Sequence, residues 1–175
     1  MADTAPVFPA AEFEDRTARL QAAMAGQGVG ALLLTSPADV FYVTGFLARL
    51  CESPARPWFV IVPASGTPVA VIPSIGAELM GTTWLDDIRT WDAPDPRDDG
   101  VSLLAETLCD LVGPTDAIGL PMGLETHLRM PLADYHALTE RIAPRRVVER
   151  LGDRARIRVE DGGPGFAAGE EEQVV

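Results

Sequence analysis

The sequence has no lysine; its 14 basic residues are all arginine, and with Ala, Gly and Pro abundant this reads as the codon bias of a GC-rich gene. Against 26 acidic residues they leave a net charge of −12. A surface of that sign repels phosphate backbones, so nucleic acid is excluded as the expected partner and the acidity reads first as solubility. Cysteine is scarce. Cys51 and Cys109 are too few for a disulfide framework in 175 residues. Cys109 falls on the apolar side of an expected helix and reads as a small core residue. Cys51 falls in a loop with no histidine nearby in sequence to activate it. Histidine is equally scarce: His127 and His136 are nine residues apart, about 180° apart on one continuous helix, so they cannot share a metal from one face. No serine sits in a strand-to-helix elbow, and a Ser-His-Asp triad has little material. Long apolar runs are missing too. The longest span about six residues, far short of the roughly 20 that a membrane helix needs. The N-terminus, Met1 to Pro6, has neither a basic region nor an apolar core, so no secretory signal is expected and the expected location is the cytoplasm.

What is present is a globular composition: 47% hydrophobic residues in a chain long enough for one domain with a sizeable core. The chain is organised around Ser36 to Phe46. The apolar run Val29 to Leu34 reads as a buried strand leading into it. Ser36 then suits a helix N-cap, Pro37 the first helical position, Asp39 the positive end of the helix dipole, and Gly45 the left-handed exit. The short helix carries Phe41 and Tyr42, with Phe46 just beyond it, making this both a packing centre and a candidate surface for a partner.

Around it the pattern alternates. Phe13, Leu20 and Met24 recur at helical spacing within an expected helix from Ala11 to about Gln27, stopped by Gly26 and Gly28. Gly26-x-Gly28-x-Gly30 is not a dinucleotide fingerprint, because these glycines follow a helix and precede a strand. Leu47 to Pro57 reads as a proline-containing loop. Trp58–Val62 and Val69–Ile72 form the clearest hairpin. Ser74 is expected to cap a short helix closed by Gly81. A strand near Ile88–Trp91 follows, then an acidic loop to Gly100, where Asp98 or Asp99 is placed to cap a helix from Ser102 to Val112. Asp86, Asp87, Asp92, Asp95, Asp98 and Asp99 lack EF-hand spacing and read as caps and solvated loop. A strand at Asp116–Leu120, a helix from Leu128 to about Ile142 with Pro131 near its start, and a strand at Arg146–Glu149 complete the order. This predicts an α/β domain with a mixed, mostly parallel sheet and helices on both faces. Residues 151–175 lack an apolar period, contain Gly162-Gly163-Pro164-Gly165 and Glu170-Glu171-Glu172, and are expected to form a poorly ordered tail. From the residues alone no catalytic set and no metal set emerges.

Several local sequences, taken in order, carry a family likeness. They are Gln27-Gly28-Val29-Gly30 before the strand, Asp39 to Phe46 with its Tyr-x-Thr-Gly-Phe, and Arg56-Pro57 before the apolar strand ending at Pro63. Thr83 to Trp91, Asp98 to Leu104 and Ile118-Gly119 follow. Together they resemble the N-terminal domain of the creatinase, prolidase and aminopeptidase P family over about residues 10–150. The resemblance implies a ribonuclease-H-like fold. It also implies that catalysis belongs to a second, C-terminal domain holding two divalent metals, which acts next to proline or on creatine-like amides. That metallohydrolase domain is absent from this sequence. The family's Arg-x-x-Lys-Ser-like linker and long helix are absent as well, which suggests a truncated or separately encoded form.

By the same resemblance no residue here is catalytic and no cofactor or metal is held by this chain. Tyr42, Phe46, Arg49 and Arg56 are the residues expected to face a substrate or partner, the partner being a second copy or a catalytic domain. The expectation is a non-catalytic substrate-gating and dimerisation domain of a creatinase or Xaa-Pro peptidase-like metallohydrolase. The alternatives are half of a two-chain Xaa-Pro peptidase with the catalytic domain supplied in trans, and an unrelated α/β ligand-binding domain.

Overall fold

The apolar run at Val29–Leu34 forms the central strand, and every one of its six residues is buried. The computed structural model describes residues 8–49, 57–123 and 126–148. Cys51, Arg56 and the 151–175 tail lie outside these. In order, the elements are α1 (Ala10–Met24), β1 (Val29–Leu34), α2 (Pro37–Thr44), β2 (Phe59–Pro63), β3 (Val69–Pro73), a 3-10 turn at Ser74–Gly76, α3 (Ala77–Met80), β4 (Ile88–Trp91), α4 (Val101–Leu111), β5 (Ala117–Gly119), α5 (Leu132–Arg141) and β6 (Arg146–Val148).

The six strands form one sheet in the order β4-β3-β2-β1-β5-β6. β2 runs antiparallel to both its neighbours, opposing Leu34 with Val60 and Phe59 with Val71. The β1–β5, β3–β4 and β5–β6 pairs are parallel. The sheet is therefore mixed with a parallel majority, as the alternating pattern predicted. Its three central strands are apolar on both sides because both faces are covered. Leu32, Leu34, Val60, Val62, Ala70 and Ile72 pack with α1, α2 and α3 residues such as Leu20, Val43 and Met80. Ala31, Leu33, Phe59, Ile61, Val69 and Val71 pack with Leu104, Leu108 and Leu138 from α4 and α5. The period-2 alternation of side chains thus divides one core into two.

Two local expectations are corrected. The last helix does not begin at Leu128: Pro131 precedes its first residue, Leu132, with extended backbone angles. Residues before a proline avoid helical angles, and the Arg129 amide donates instead to Thr35 Oγ at 3.0 Å. Ser74 does not cap α3 either. It starts the 3-10 turn itself, and its hydroxyl donates to Asp92 Oδ1 at 3.0 Å, tying the ends of β3 and β4 together. Among the described residues no helix is long and apolar enough to cross a membrane.

Candidate functional site

One end of the sheet collects the carboxyl ends of β1, β3, β4, β5 and β6 together with the start of β2, as the strand registers require. In open α/β sheets this carboxyl rim is where ligands and partners are met. The loop leading to β2, the 3-10 turn, the acidic loop and the long loop after β5 all issue from it.

α2 is launched from this rim as the sequence predicted. Ser36 Oγ accepts from the Asp39 amide at 3.1 Å, and its hydroxyl donates to Asp39 Oδ2 at 2.6 Å. Gly45 ends the helix at φ 74°, its amide donating to Phe41 O. A side chain there would be strained twice over, since a Cβ would lie 2.6 Å from the Phe13 ring. Thr44 then sets the direction of the chain: its hydroxyl donates to Val40 O at 2.6 Å and accepts from the Phe46 amide at 2.9 Å.

That turn sends Phe46 inward. Phe46 is 3% exposed and stacks on Trp58 with ring centroids 5.2 Å apart. Although the sequence reading placed Phe46 on a partner-facing surface, its side chain belongs to the core. Leu47, one residue on, points outward at 75% exposure. Tyr42 is half-buried on α2. The Arg16 guanidinium lies 4.9 Å from its ring centroid, and also over Phe8 at 4.7 Å and Phe13 at 5.4 Å. Arg16 Nη1 donates to Tyr42 O at 3.1 Å, and Arg16 pairs with Glu12 at 2.9 Å. Tyr42 is thereby part of a cation–π junction between α1 and α2. Arg49 is exposed at the rim. Arg56, the fourth candidate, lies outside the described residues, so the structure brings Tyr42, Phe46 and Arg49 onto one turn of chain without giving them one direction.

Trp58 is the pivot of the site. It is 2% exposed, and its ring lies so close to Gly76 that a Cβ there would approach it to 2.0 Å. Glycine at this position lets the 3-10 turn close over the indole. The turn and α3 then present Ile75 and Leu79, 66% and 45% exposed, on the outside. Trp84 Nε1 donates to Val43 O at 2.9 Å, holding the segment after α3 against α2. Sequence reading missed Leu47, Ile75 and Leu79. The four residues of α3 are too few for a periodicity to mark Leu79, and the outward direction of Leu47 follows from the turn that buries Phe46.

The acidic loop is organised by capping. Asp98 Oδ1 accepts from the Ser102 amide at 3.0 Å, and Arg141 stands 3.5 Å away. Burial alone would raise the Asp98 pKa, but the Ser102 bonds and Arg141 outweigh it and hold the carboxyl below its ordinary range. Asp99 accepts from Trp91 Nε1 at 3.0 Å instead of capping. Asp95 is also held low, first by the Arg97 amide. Cys109 is partly buried, with Arg145 Nη1 at 3.3 Å from its Sγ. His127 and His136 are both exposed on separate segments. Among the described residues no three His, Cys, Asp or Glu side chains are grouped to hold a metal ion. The site offers apolar contact, a few charges and rigid backbone, which suit recognition and positioning.

A profile of the Creatinase/Prolidase N-terminal domain matches residues 16–159. No curated protein sequence matches the chain. Among solved structures, the dipeptidase PepE from Mycobacterium ulcerans is 23% identical with a TM-score of 0.60, the match covering 81% of this chain and 35% of that one. A recombinant prolidase from Thermococcus sibiricus gives 15% identity and a TM-score of 0.62, covering 78% of this chain and 34% of that chain. The Creatinase/Prolidase N-terminal domain of an X-Pro dipeptidase from Streptococcus pyogenes gives 14% identity and a TM-score of 0.55, covering 77% of this chain and 99% of that chain. The match thus spans about a third of the two longer proteins and nearly all of the single domain.

Proposed function

From the premise that the chain belongs to the Creatinase/Prolidase N-terminal domain family, we propose that it is a non-catalytic domain that shapes substrate access to, and supports dimerisation of, a metallohydrolase of the creatinase and Xaa-Pro peptidase type. The observation that carries this reading is the extent of the match. The chain's fold corresponds to 99% of a solved N-terminal domain but to only 35% of a solved dipeptidase. Catalytic residues are then supplied from outside residues 8–148. A pair of divalent metals does not fit the described residues, which offer no group of three metal-ligating side chains.

In this reading the rim residues contribute through shape. α2 is fixed at both ends by Ser36 and Gly45 and pinned to α1 by Arg16, so the turn carrying Leu47 and Arg49 is held on a rigid support. A rigid support costs little ordering entropy when a partner or substrate seats against it. The test is direct. The purified chain is incubated with Mn2+, Co2+ or Zn2+, its bound metal is assayed, and hydrolysis of an Xaa-Pro dipeptide is followed. The expected result is neither stoichiometric metal nor turnover; turnover with bound metal by this chain alone would overturn the reading.

A further inference from the structure

Two anchors hold the exit of α2, and both lead back to one residue ahead of α1. The first anchor is Phe13. It is 2% exposed, and the tip of its ring packs on Gly45 so closely that a Cβ there would lie 2.6 Å from Phe13 Cζ. The second is Arg16. Its Nη1 donates to Tyr42 O at 3.1 Å, and its guanidinium lies 4.9 Å from the Tyr42 ring centroid. Tyr42 O and the Gly45 cap both belong to the last turn of α2, so the two anchors grip the same piece of chain.

Phe8 closes on both of them. Its ring meets Phe13 edge to face with centroids 6.1 Å apart, and the Arg16 guanidinium lies 4.7 Å from its centroid. α1 starts after Pro9 with no side-chain cap. Phe8 stands just before that N-cap and Phe13 is the fourth helical residue, which is the spacing of a hydrophobic staple. A staple fixes the entry of its own helix. Here the stapled ring also abuts the α2 exit, and Phe8 also covers the cation that bonds α2. Phe8 is 36% exposed, whereas the Arg16 side chain is 12% exposed, so the Phe8 ring is the outer layer of the junction.

We propose that Phe8 is a clasp on the α2 exit. Seated on Phe13 and Arg16, it keeps the rim turn that carries Leu47 and Arg49 in one conformation, and lifting it loosens that turn. The order of the rim is thereby set from the N-terminal side of α1. The proposal deepens the substrate-access role given above, and takes its functional consequence from that role.

Amide hydrogen exchange of the full chain, followed residue by residue by NMR, tests it, with urea titration to read global stability. The reporters are the Gly45 amide, which donates to Phe41 O, and the Phe46 amide, which donates to Thr44 Oγ1. In Phe8→Ala both are expected to exchange about tenfold faster by local opening, the size of effect given by losing one aromatic pair and one cation–π contact. The amides of β1 are expected to keep their wild-type rates. Phe8→Trp retains a ring over the cation and should restore slow exchange. Phe8→Leu retains apolar area without a ring and should not. A staple that serves α1 alone would speed only the Glu12 amide, bonded to Pro9 O, and leave Gly45 and Phe46 at wild-type rates; that result overturns the clasp. An equal rise at all protected amides, matched by a lower urea midpoint, overturns it as well, because the effect is then global. The readout needs neither metal nor peptide, so its failure leaves the hydrolysis test of the access role standing.

Discussion

The two faces of the sheet are closed to solvent by different chemistry. On the α4–α5 face the margins are polar. Arg89 bonds Asp87, Thr107 and Asp110, Arg141 bonds Ser102, and Arg145 bonds the Cys109 and Val112 carbonyls. On the α1–α3 face Arg16 and Gln21 anchor α1 by polar bonds, but the margin at the carboxyl rim is aromatic and aliphatic. Phe46 and Trp58 are stacked and buried, and Leu47, Ile75 and Leu79 continue outward from them. The first arrangement ends the core at water. The second leaves large apolar side chains at the surface.

Trp58 and Phe59 sharpen this contrast, because they are adjacent in sequence and serve opposite faces. Both are buried, Phe59 fully and Trp58 to 2% exposure. Trp58→Ala and Phe59→Ala should each lower the unfolding free energy by about 3–5 kcal/mol, the usual range for a large buried aromatic, as read from urea titrations. Their local effects should differ. Trp58→Ala removes the ring against Phe46 and Gly76 and should speed amide exchange in α2 and the 3-10 turn under conditions where the protein remains folded. Phe59→Ala lies on the other side of the sheet, with Leu104 and Leu108, and should speed exchange in α4 instead. Equal exchange patterns would erase the distinction between the faces.

The two arginine anchors give a smaller version of the same contrast. Arg16 has a side chain 12% exposed and lies over three rings. Arg16→Leu should cost about 1–2 kcal/mol, and the loss should be nearly the same at high salt, since a desolvated cation–π contact is poorly screened. Arg89 is 27% exposed, and its partners Asp87 and Asp110 are 43% and 64% exposed. Hydrogen bonds to Asp87 and then Asp110 hold the guanidinium pKa above its ordinary value. Because these partners are wet, Arg89→Leu should cost only about 0.5–1 kcal/mol, and most of that should vanish at 1 M salt. Thermal melts at two ionic strengths would reverse the comparison if Arg16 proved the salt-sensitive one.

Local signals explain which parts of the fold were legible in the sequence. The Ser36–Pro37 start and Gly45 stop of α2 depend on residues within a few positions of one another, and all behave as their types require. The hairpin and the central strand follow from uninterrupted apolar runs. Phe46 was legible as a packing residue but not as one turned wholly away from a partner, because its direction is set by the Thr44 hydroxyl between two backbone groups. Ser74 looked like a cap by type, yet it found Asp92 on a neighbouring strand, a partner only the sheet brings near. The Phe46–Trp58–Gly76 contact was illegible for the same reason: it joins three separate segments, and no periodicity within any of them records that.

A comparably small effect probes the polar margin through Asp98. Its carboxylate accepts the Ser102 amide at the start of α4 and stands 3.5 Å from Arg141. Removing the acceptor in Asp98→Ala should cost about 1 kcal/mol, as loss of a helix cap does. Asp98→Asn keeps an acceptor but removes the charge, and should cost less. The folded carboxyl titrates below its ordinary value, whereas in the unfolded chain it titrates near pH 3.9. The stabilisation from its charge is therefore complete above that unfolded value and is lost as pH falls through it towards the folded value. The gap between wild type and Asp98→Asn in urea midpoint should accordingly be constant from pH 7 to about pH 5 and close below about pH 4. The same titration on Ile75→Glu should open no such gap at neutral pH, since its new carboxylate stands in solvent and caps no helix; a shared acid response would mean that the two margins are electrostatically one.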